Sequence, residues 1–240
     1  MSKKNSDESV PKNFITNIAF EIRFIPLLKI IDRISEYQEK IRNRLPSAEY
    51  GFPIISTDRR ERMPEELNEW RFTSKNKDEI LKITVSRLTY IKTNYSTFEE
   101  FISRVLSYIE DFIEFTEINE FNRIGLRYNN EYSLKEKPID ELLDLFNSYI
   151  NVDKIKNKAP YSFSVEYRWS QENNKVTCWN VLRTDNIGNL VYIIDIDAFN
   201  ENITNSSDLK GVTNELHSLI KEAFNENIKE KFREILRGEK

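Results

Sequence analysis

Two acidic residues on one predicted strand are the strongest candidates for chemistry in this sequence. Asp195 and Asp197 lie two positions apart, so a strand directs both carboxylates to the same face of its sheet. Paired carboxylates can bind Mg²⁺ or Mn²⁺ if neighbouring strands supply further oxygen ligands. Glu166 and Asn180 are the candidates for that role. A metal site at Asp195 and Asp197 is therefore one alternative.

The same two carboxylates could instead form ion pairs within the sheet. Arginines of three predicted strands are available for this: Arg23, Arg127 and Arg168. An Asp-x-Asp pair without further ligand spacing is too common in sequences to identify a metal site. We therefore expect no bound metal or other cofactor.

A second group of side chains is rich in hydrogen-bond donors. Arg23 and Arg127, with Asn129 and Asn130, could bind a phosphate or a carboxylate, because guanidinium presents a planar fork to such groups. Cross-strand ion pairs are the competing interpretation, with four candidate partners: Glu21, Glu131, Asp195 and Asp197. The predicted partner-binding or ligand-binding site has six members: Arg23, Arg127, Asn129, Asn130, Asp195 and Asp197.

The sequence contains no recognisable catalytic group. With one histidine, His217, and 5 glycines, the sequence gives no basis for proposing a Ser-His-Asp triad, a Cys-His pair or a Walker-type loop. We expect His217 at the surface or at the boundary of the core. Strand aromatics could stack on nucleic-acid bases, although filling the core is their usual role. The three tryptophans in question are Trp70, Trp169 and Trp179.

An element order that occurs twice positions these residues. Each pass contains a strand, a helix or helical stretch, three strands and a second helix, over residues 17–118 and again over residues 122–240. Alternation of apolar and polar residues predicts strands at 17–24, 50–56, 69–74, 80–93, 122–133, 161–171, 175–183 and 190–199. Apolar spacings of three and four predict helices at 27–45, 98–113, 138–150 and 209–236.

These elements predict an α+β fold. The duplicated β-α-β-β-β-α unit is expected to form a mostly antiparallel sheet of about eight strands, with helices packed on one face. Residues 13–240 make one pseudo-duplicated domain, and residues 1–12 a disordered N-terminal lead-in. Arg23 and Arg127 align between the two passes and should be pseudo-equivalent. The final helix, if unbroken, is long enough to contact a partner.

Composition narrows the classes of partner. The chain has 240 residues, 39% of them hydrophobic, and its 36 basic and 40 acidic residues give a net charge of -4. No general basic field attracts nucleic acid or an anionic membrane, although a local patch could bind nucleic acid. One cysteine, the lack of a long apolar run and the polar N-terminal segment favour the cytoplasm.

The chain resembles a sporadically distributed family of uncharacterised prokaryotic proteins of similar length. Five segments carry this resemblance: residues 17–24, 70–72, 95–101, 123–130 and 195–197. The most specific is the arginine-tyrosine-asparagine segment at 123–130, followed by the acidic pair. The resemblance implies no activity. The patchy distribution of the family is similar to that of genes in mobile defence or toxin-antitoxin loci.

These observations predict a non-catalytic binding or assembly protein, an accessory component of a prokaryotic antiviral defence or toxin-antitoxin module. Its partner would be another protein encoded nearby, and the C-terminal helix could form a homo-oligomer. Two alternatives remain open. One is a metal-dependent phosphodiesterase or nucleotide-processing enzyme, with Asp195 and Asp197 as ligands and Arg127 binding the phosphate. The other is a nucleic-acid-binding protein.

Overall fold

The computed structural model describes residues 14–51, 69–135, 139–147, 162–186 and 188–238. The fold is α+β. Its elements follow one another in this order: β1 (Ile15–Arg23), α1 (Lys29–Ile41), β2 (Ser47–Gly51), β3 (Glu69–Thr73), β4 (Glu79–Ile83), β5 (Arg87–Lys92), α2 (Phe98–Thr116), β6 (Glu120–Phe121), β7 (Arg123–Lys135), α3 (Glu141–Leu145), β8 (Ser162–Gln171), β9 (Asn174–Thr184), β10 (Leu190–Asn200), β11 (Thr204–Asn205), α4 (Leu209–Asn227) and α5 (Glu230–Arg237).

Nine of the described strands form one sheet, in the order β2-β3-β4-β5-β1-β7-β10-β9-β8. Each neighbouring pair in it is antiparallel. β6 and β11 form a separate two-stranded sheet. β1 and β7 lie side by side in the large sheet, with Phe20 opposite Leu126. This pair joins the strands of the first half of the chain to those of the second.

Helices α1 and α2 lie over the first half of the sheet. Phe101 and Tyr108 of α2 contact the ring of Tyr90, which is the register partner of buried Phe20. Tyr37 of α1 packs edge-on against Phe112 of α2. Thr97 caps the start of α2, since its hydroxyl accepts a hydrogen bond from the Glu100 amide at 3.2 Å.

The remaining helices cover the second half on the same face. α4 packs over β7 and β10, and its His217 ring contacts Tyr128, which lies opposite Ile18 and Ile196. The ring of Phe232 in α5 contacts Tyr132, four residues further along β7. Because side chains alternate along a strand, Tyr128 and Tyr132 share one face. The apolar core therefore lies between this face and the helices.

The segment 80–93 is a hairpin, whereas the sequence predicted a single strand. β4 and β5 pair with Glu79 opposite Lys92, and the Thr84 amide donates to the Arg87 carbonyl at 2.8 Å to close the turn. Thr84 and Val85 of the turn favour strands, and no Gly, Pro or Asn marks the reversal. The hairpin accounts for nine strands in the described sheet, one more than predicted.

The segment 209–236, predicted as one helix, is interrupted and forms two helices. α4 ends at Asn227, Ile228 is extended, and α5 begins at Glu230. Ile228 forms a β-bridge with Phe146, and the Lys229 amide donates to the Leu145 carbonyl at 2.8 Å. These contacts with the chain that follows α3 hold residues 228–229 in an extended conformation, so α4 cannot continue beyond Asn227. α5 then packs on the core.

Parts of several predicted segments lie outside the described residues, among them 1–12, 52–56 and 148–150. The predicted antiparallel arrangement of the sheet is confirmed for its last three strands, since β8 pairs with β9 and β9 pairs with β10. None of the helices within the described ranges is long and apolar enough to cross a bilayer.

Candidate binding face of the sheet

The face of the sheet opposite the helix contacts carries charged side chains. Glu21 of β1 lies opposite Gly125, and Arg127 of β7 lies opposite Asp197 of β10. These positions alternate with the core residues of the same strands, so their side chains leave the sheet on its other side. We call five residues of this face the charged strip: Glu21, Arg123, Arg127, Asp195 and Asp197.

Arg127 and Asp195 form the best-defined ion pair of the charged strip. Arg127 Nε donates to Asp195 Oδ1 at 2.8 Å, and its Nη2 donates to Oδ2 at 2.5 Å. This bidentate hydrogen bonding raises the pKa of Arg127 further. The guanidinium also lies 5.2 Å from the ring centroid of Trp179, which pairs with Asp195 from β9. Three adjacent strands thus meet at Arg127.

Arg123 connects the two halves of the sheet. Its guanidinium donates to Glu21 of β1 at 2.8 Å and to Asp197 of β10 at 3.2 Å. It also stacks on the Phe199 ring, at 4.5 Å from the centroid. Gly125 lies between Arg123 and Arg127 on this face and leaves the space that the Arg123 side chain occupies.

Arg23 lies at the end of the charged strip. It donates to Glu21 at 2.8 Å and is opposite Arg123, four positions from Arg127 along β7. At the strand rise this separation is about 13 Å. The two arginines predicted to be pseudo-equivalent therefore contact different carboxylates and do not form one cluster.

Guanidinium groups are the outer layer of this face. The Arg127 side chain is 49% exposed against 13% for Asp195, and Arg23 is 45% exposed against 19% for Glu21. Arg71 and Glu69 follow the same order, at 40% and 9%. Arg123 is the exception, because it is covered between its neighbours. A molecule approaching the sheet meets cations first, although the chain as a whole is acidic.

The structure separates the predicted site residues into two groups. Asn129 lies opposite Asp195 on the charged face, and its Oδ1 is buried without a hydrogen-bond partner among the described residues. Asn130 points to the helix side, where its Nδ2 donates to the Ile194 carbonyl at 3.1 Å. Asn130 therefore leaves the sheet on the face opposite the other five predicted residues, because consecutive strand residues face opposite ways.

Asp195 and Asp197 share a face, and each is engaged by an arginine: Arg127 for the first and Arg123 for the second. Arg23 and Arg168 bind glutamates of their own strands instead. Burial raises the pKa of Asp197 above its ordinary value, while Arg123 and Arg127 act in the opposite direction.

The proposed further metal ligands do not join the two aspartates. Asn180 lies on the helix side, where its Oδ1 accepts from the Tyr192 hydroxyl at 2.6 Å. Glu166 belongs to β8, two strands away from β10. Within the part of the chain that the structure describes, no three His, Cys, Asp or Glu residues are grouped so that they could hold an ion.

Sequence reasoning missed two contributors to the charged face. Arg123 had a signal, since Arg123, Gly125 and Arg127 alternate along one strand and glycine in a strand interior marks a close approach. For Trp179 core filling was the favoured interpretation and base stacking the alternative, whereas it lies on the charged face beneath Arg127. Its register opposite Asp195 depends on the β9–β10 turn, which composition does not fix.

The single histidine and the single cysteine of the chain both lie on the helix side of the sheet. His217 is half-buried and stacks on Phe98 with centroids 3.8 Å apart, so its predicted boundary position is confirmed. Cys178 is buried among polar groups, with Asn180 and Asn227 amides 3.7 Å from its sulfur. Burial raises the pKa of this thiol to about 11, which keeps it protonated at neutral pH.

No protein-family model matches this chain, and no curated protein matches it.

Proposed function

We propose that this is a non-catalytic binding or assembly protein whose charged strip, with Arg23 beside it, binds an acidic surface of another protein. The observation that carries the proposal is the outer position of the guanidinium groups above partly buried carboxylates. The carboxylates hold the arginines in place, so less side-chain freedom is lost when an anionic partner binds. Arginine is also the cation best suited to bidentate binding of carboxylates.

The same geometry favours a protein partner over nucleic-acid bases. Stacking of bases needs exposed aromatic faces. On this face Arg127 lies over Trp179, and Arg123 and Lys175 lie over Phe199. A base would have to displace these cations, whereas a carboxylate could bind to them as they stand.

The wider setting is also a proposal. The placement in a defence or toxin-antitoxin module, with a partner encoded nearby, rests on the family resemblance alone.

We further propose that residues 17–118 and 122–240 are copies of one unit. The support is the strand order, since β3-β4-β5-β1 leads inward from one side and β8-β9-β10-β7 from the other. β2 falls outside this correspondence.

The test is a comparative capture from a lysate of the native host. The bait variant combines Arg23→Gln with Arg127→Gln and Asp195→Asn, which removes an ion pair as a unit and leaves no unpaired buried charge. We expect one or more proteins to bind the wild-type chain and to be lost from this variant. The captured protein, once purified, should bind the wild-type chain directly.

A matched control removes equivalent charges on the helix side. Lys231 and Asp144 form an exposed ion pair of 3.0 Å, so Lys231→Gln with Asp144→Asn, combined with Arg42→Gln, reproduces the same change in charge. This control should retain the captured protein. Identical sets of proteins on all three baits would contradict the proposal. Retardation of oligonucleotides at low salt by the wild-type chain, without protein capture, would favour the nucleic-acid alternative instead.

A further inference from the structure

Among the described strands, β8 is a long edge strand of the large sheet. It runs from Ser162 to Gln171, pairs with β9 on one side, and ends the order of the described strands. Its pairing with β9 is continuous from Ser162 to Gln171, without a bulge, and the strand contains no proline. Proteins commonly protect an edge strand with a bulge or a proline, because its unpaired backbone groups can pair with another strand. β8 therefore has the properties of an edge strand that can pair with a strand of another chain.

The charges on β8 select a particular partner strand. Glu166 and Arg168 flank Tyr167, and both point to the charged face of the sheet. In a symmetric antiparallel pair of two β8 strands, a two-fold axis at Tyr167 places Glu166 opposite Arg168 of the second copy, twice. An axis at Glu166 or at Arg168 places two like charges directly opposite each other, which is unfavourable. Only the axis at Tyr167 matches opposite charges.

The helix side of β8 fits the same register. Val165 and Trp169 lie on that side and are half-buried in the single chain. The axis at Tyr167 places Val165 opposite Trp169 of the second copy, which is a favourable aromatic and β-branched cross-strand pair. Both faces of the strand therefore support one alignment.

We propose that two copies of this chain form a symmetric dimer by antiparallel pairing of their β8 strands, with the two-fold axis at Tyr167. The large sheets of the two copies become continuous, and their charged faces lie on the same side. This interface differs from the one predicted at the C-terminal helix, since Phe232 of α5 is buried within its own chain. The inference does not depend on the proposed binding of an acidic protein.

The test uses charge reversal and sedimentation velocity. The wild-type chain is expected to sediment at micromolar concentrations with twice the 28.6 kDa mass of one chain. Glu166→Arg alone and Arg168→Glu alone each oppose like charges twice and should weaken the dimer by roughly tenfold or more. The double change Glu166→Arg with Arg168→Glu restores opposite pairs and should restore the dimer. An equimolar mixture of the two single variants should form a heterodimer for the same reason.

The controls are charge reversals on the exposed surface of α4, Glu222→Arg and Lys210→Glu, which should leave the dimer intact. Circular dichroism checks that each variant folds. A wild-type chain that stays monomeric would overturn the proposal. So would a dimer that survives both single reversals, or single-variant losses that the double change fails to restore.

A cross-link tests the register independently. The axis at Tyr167 pairs Ser164 with Ser170 of the second copy, at a spacing of about 5 Å that suits a disulfide. Ser164→Cys and Ser170→Cys chains, mixed under oxidising conditions, should join efficiently. Ser162→Cys mixed with Ser170→Cys should join poorly, because that pair is out of register. Equal cross-linking of both mixtures would contradict the alignment.

Discussion

Arg123 contacts both neighbouring strands because Gly125, the next residue on its face, has no side chain. A Cβ atom at Gly125 would lie 2.4 Å from Arg123 Nη1, closer than any normal contact. Glycine inside a strand usually lowers stability. Here that cost is offset by the ion pairs of Arg123 with Glu21 and Asp197, which cross the centre of the sheet.

The first prediction concerns this pair of residues. Gly125→Ala should lower the free energy of unfolding by about 1–2 kcal/mol, because Arg123 must leave its partners. In an Arg123→Met background the same change should be neutral or stabilising by up to about 1 kcal/mol, since alanine loses less backbone entropy than glycine. Urea unfolding of the four chains measures both effects. If Gly125→Ala lowered the free energy of unfolding equally in the wild-type and the Arg123→Met backgrounds, Gly125 would have a role other than making room for Arg123.

The second prediction follows from the raised pKa of Asp197. The folded chain holds this proton more tightly than the unfolded chain, so the contribution of Asp197 to stability falls as pH rises from the unfolded pKa through the raised folded pKa. Asp197→Asn removes that dependence. The stability lost on this substitution should therefore be smaller at neutral pH than at a pH of about 4. Urea unfolding at several pH values measures it, and a loss that grows with pH would contradict the assignment.

The third prediction concerns Cys178. Its side chain is fully buried, and burial raises its pKa to about 11. Because the thiolate is the reactive form, the folded chain should not react with a thiol reagent at a pH of about 8, whereas the chain in urea should react at one site. Absorbance of the released chromophore measures this. Rapid reaction of the folded chain would require an accessible sulfur.

Strand alternation made some residue positions predictable and not others. The shared face of Asp195 and Asp197 follows from their spacing alone. Asn130 was grouped with Asn129 by composition, although adjacent strand residues point to opposite faces. The partners of each aspartate were left open, because they depend on which strands become neighbours and in which register.

At the scale of elements, α5 stabilises the chain that carries it. The Phe232 ring contacts Phe14, Tyr132 and Phe146. The fourth prediction is that Phe232→Ala lowers the free energy of unfolding by about 3–5 kcal/mol. Leu236→Ala, at a partly buried position of the same helix, should cost clearly less. If both changes left urea unfolding unaltered, α5 would not be packed on the core.

Element types were easier to predict than element ends. The apolar spacing across residues 209–236 is helical throughout, and only the bridge between Ile228 and Phe146 explains why the helix stops at Asn227. The hairpin in residues 80–93 was missed for a similar reason, since Thr84 and Ser86 are compatible with an extended strand. Local propensity does not reveal a contact with a distant segment.

At the scale of the whole molecule, the α+β class and the antiparallel sheet with α2 and α4 packed against it could be predicted from periodicity and turn lengths. The central β1–β7 pair required an assumption about how the two passes meet, and the duplication itself stays a prediction. What no pattern could supply is the exposure of each charge. The outer position of the arginines emerges only after the strands are aligned.

Because the arginines lie outermost, the proposed binding of an acidic partner would be electrostatic, and its affinity should fall as the salt concentration rises. The most direct test of the charged strip as a binding surface is calorimetry with the purified captured partner at low and at physiological salt. The fifth prediction is that the change of Arg23→Gln, Arg127→Gln and Asp195→Asn weakens binding by about tenfold or more, whereas the helix-side control binds as the wild-type chain does. Equal affinity of all three chains for the partner would contradict the account.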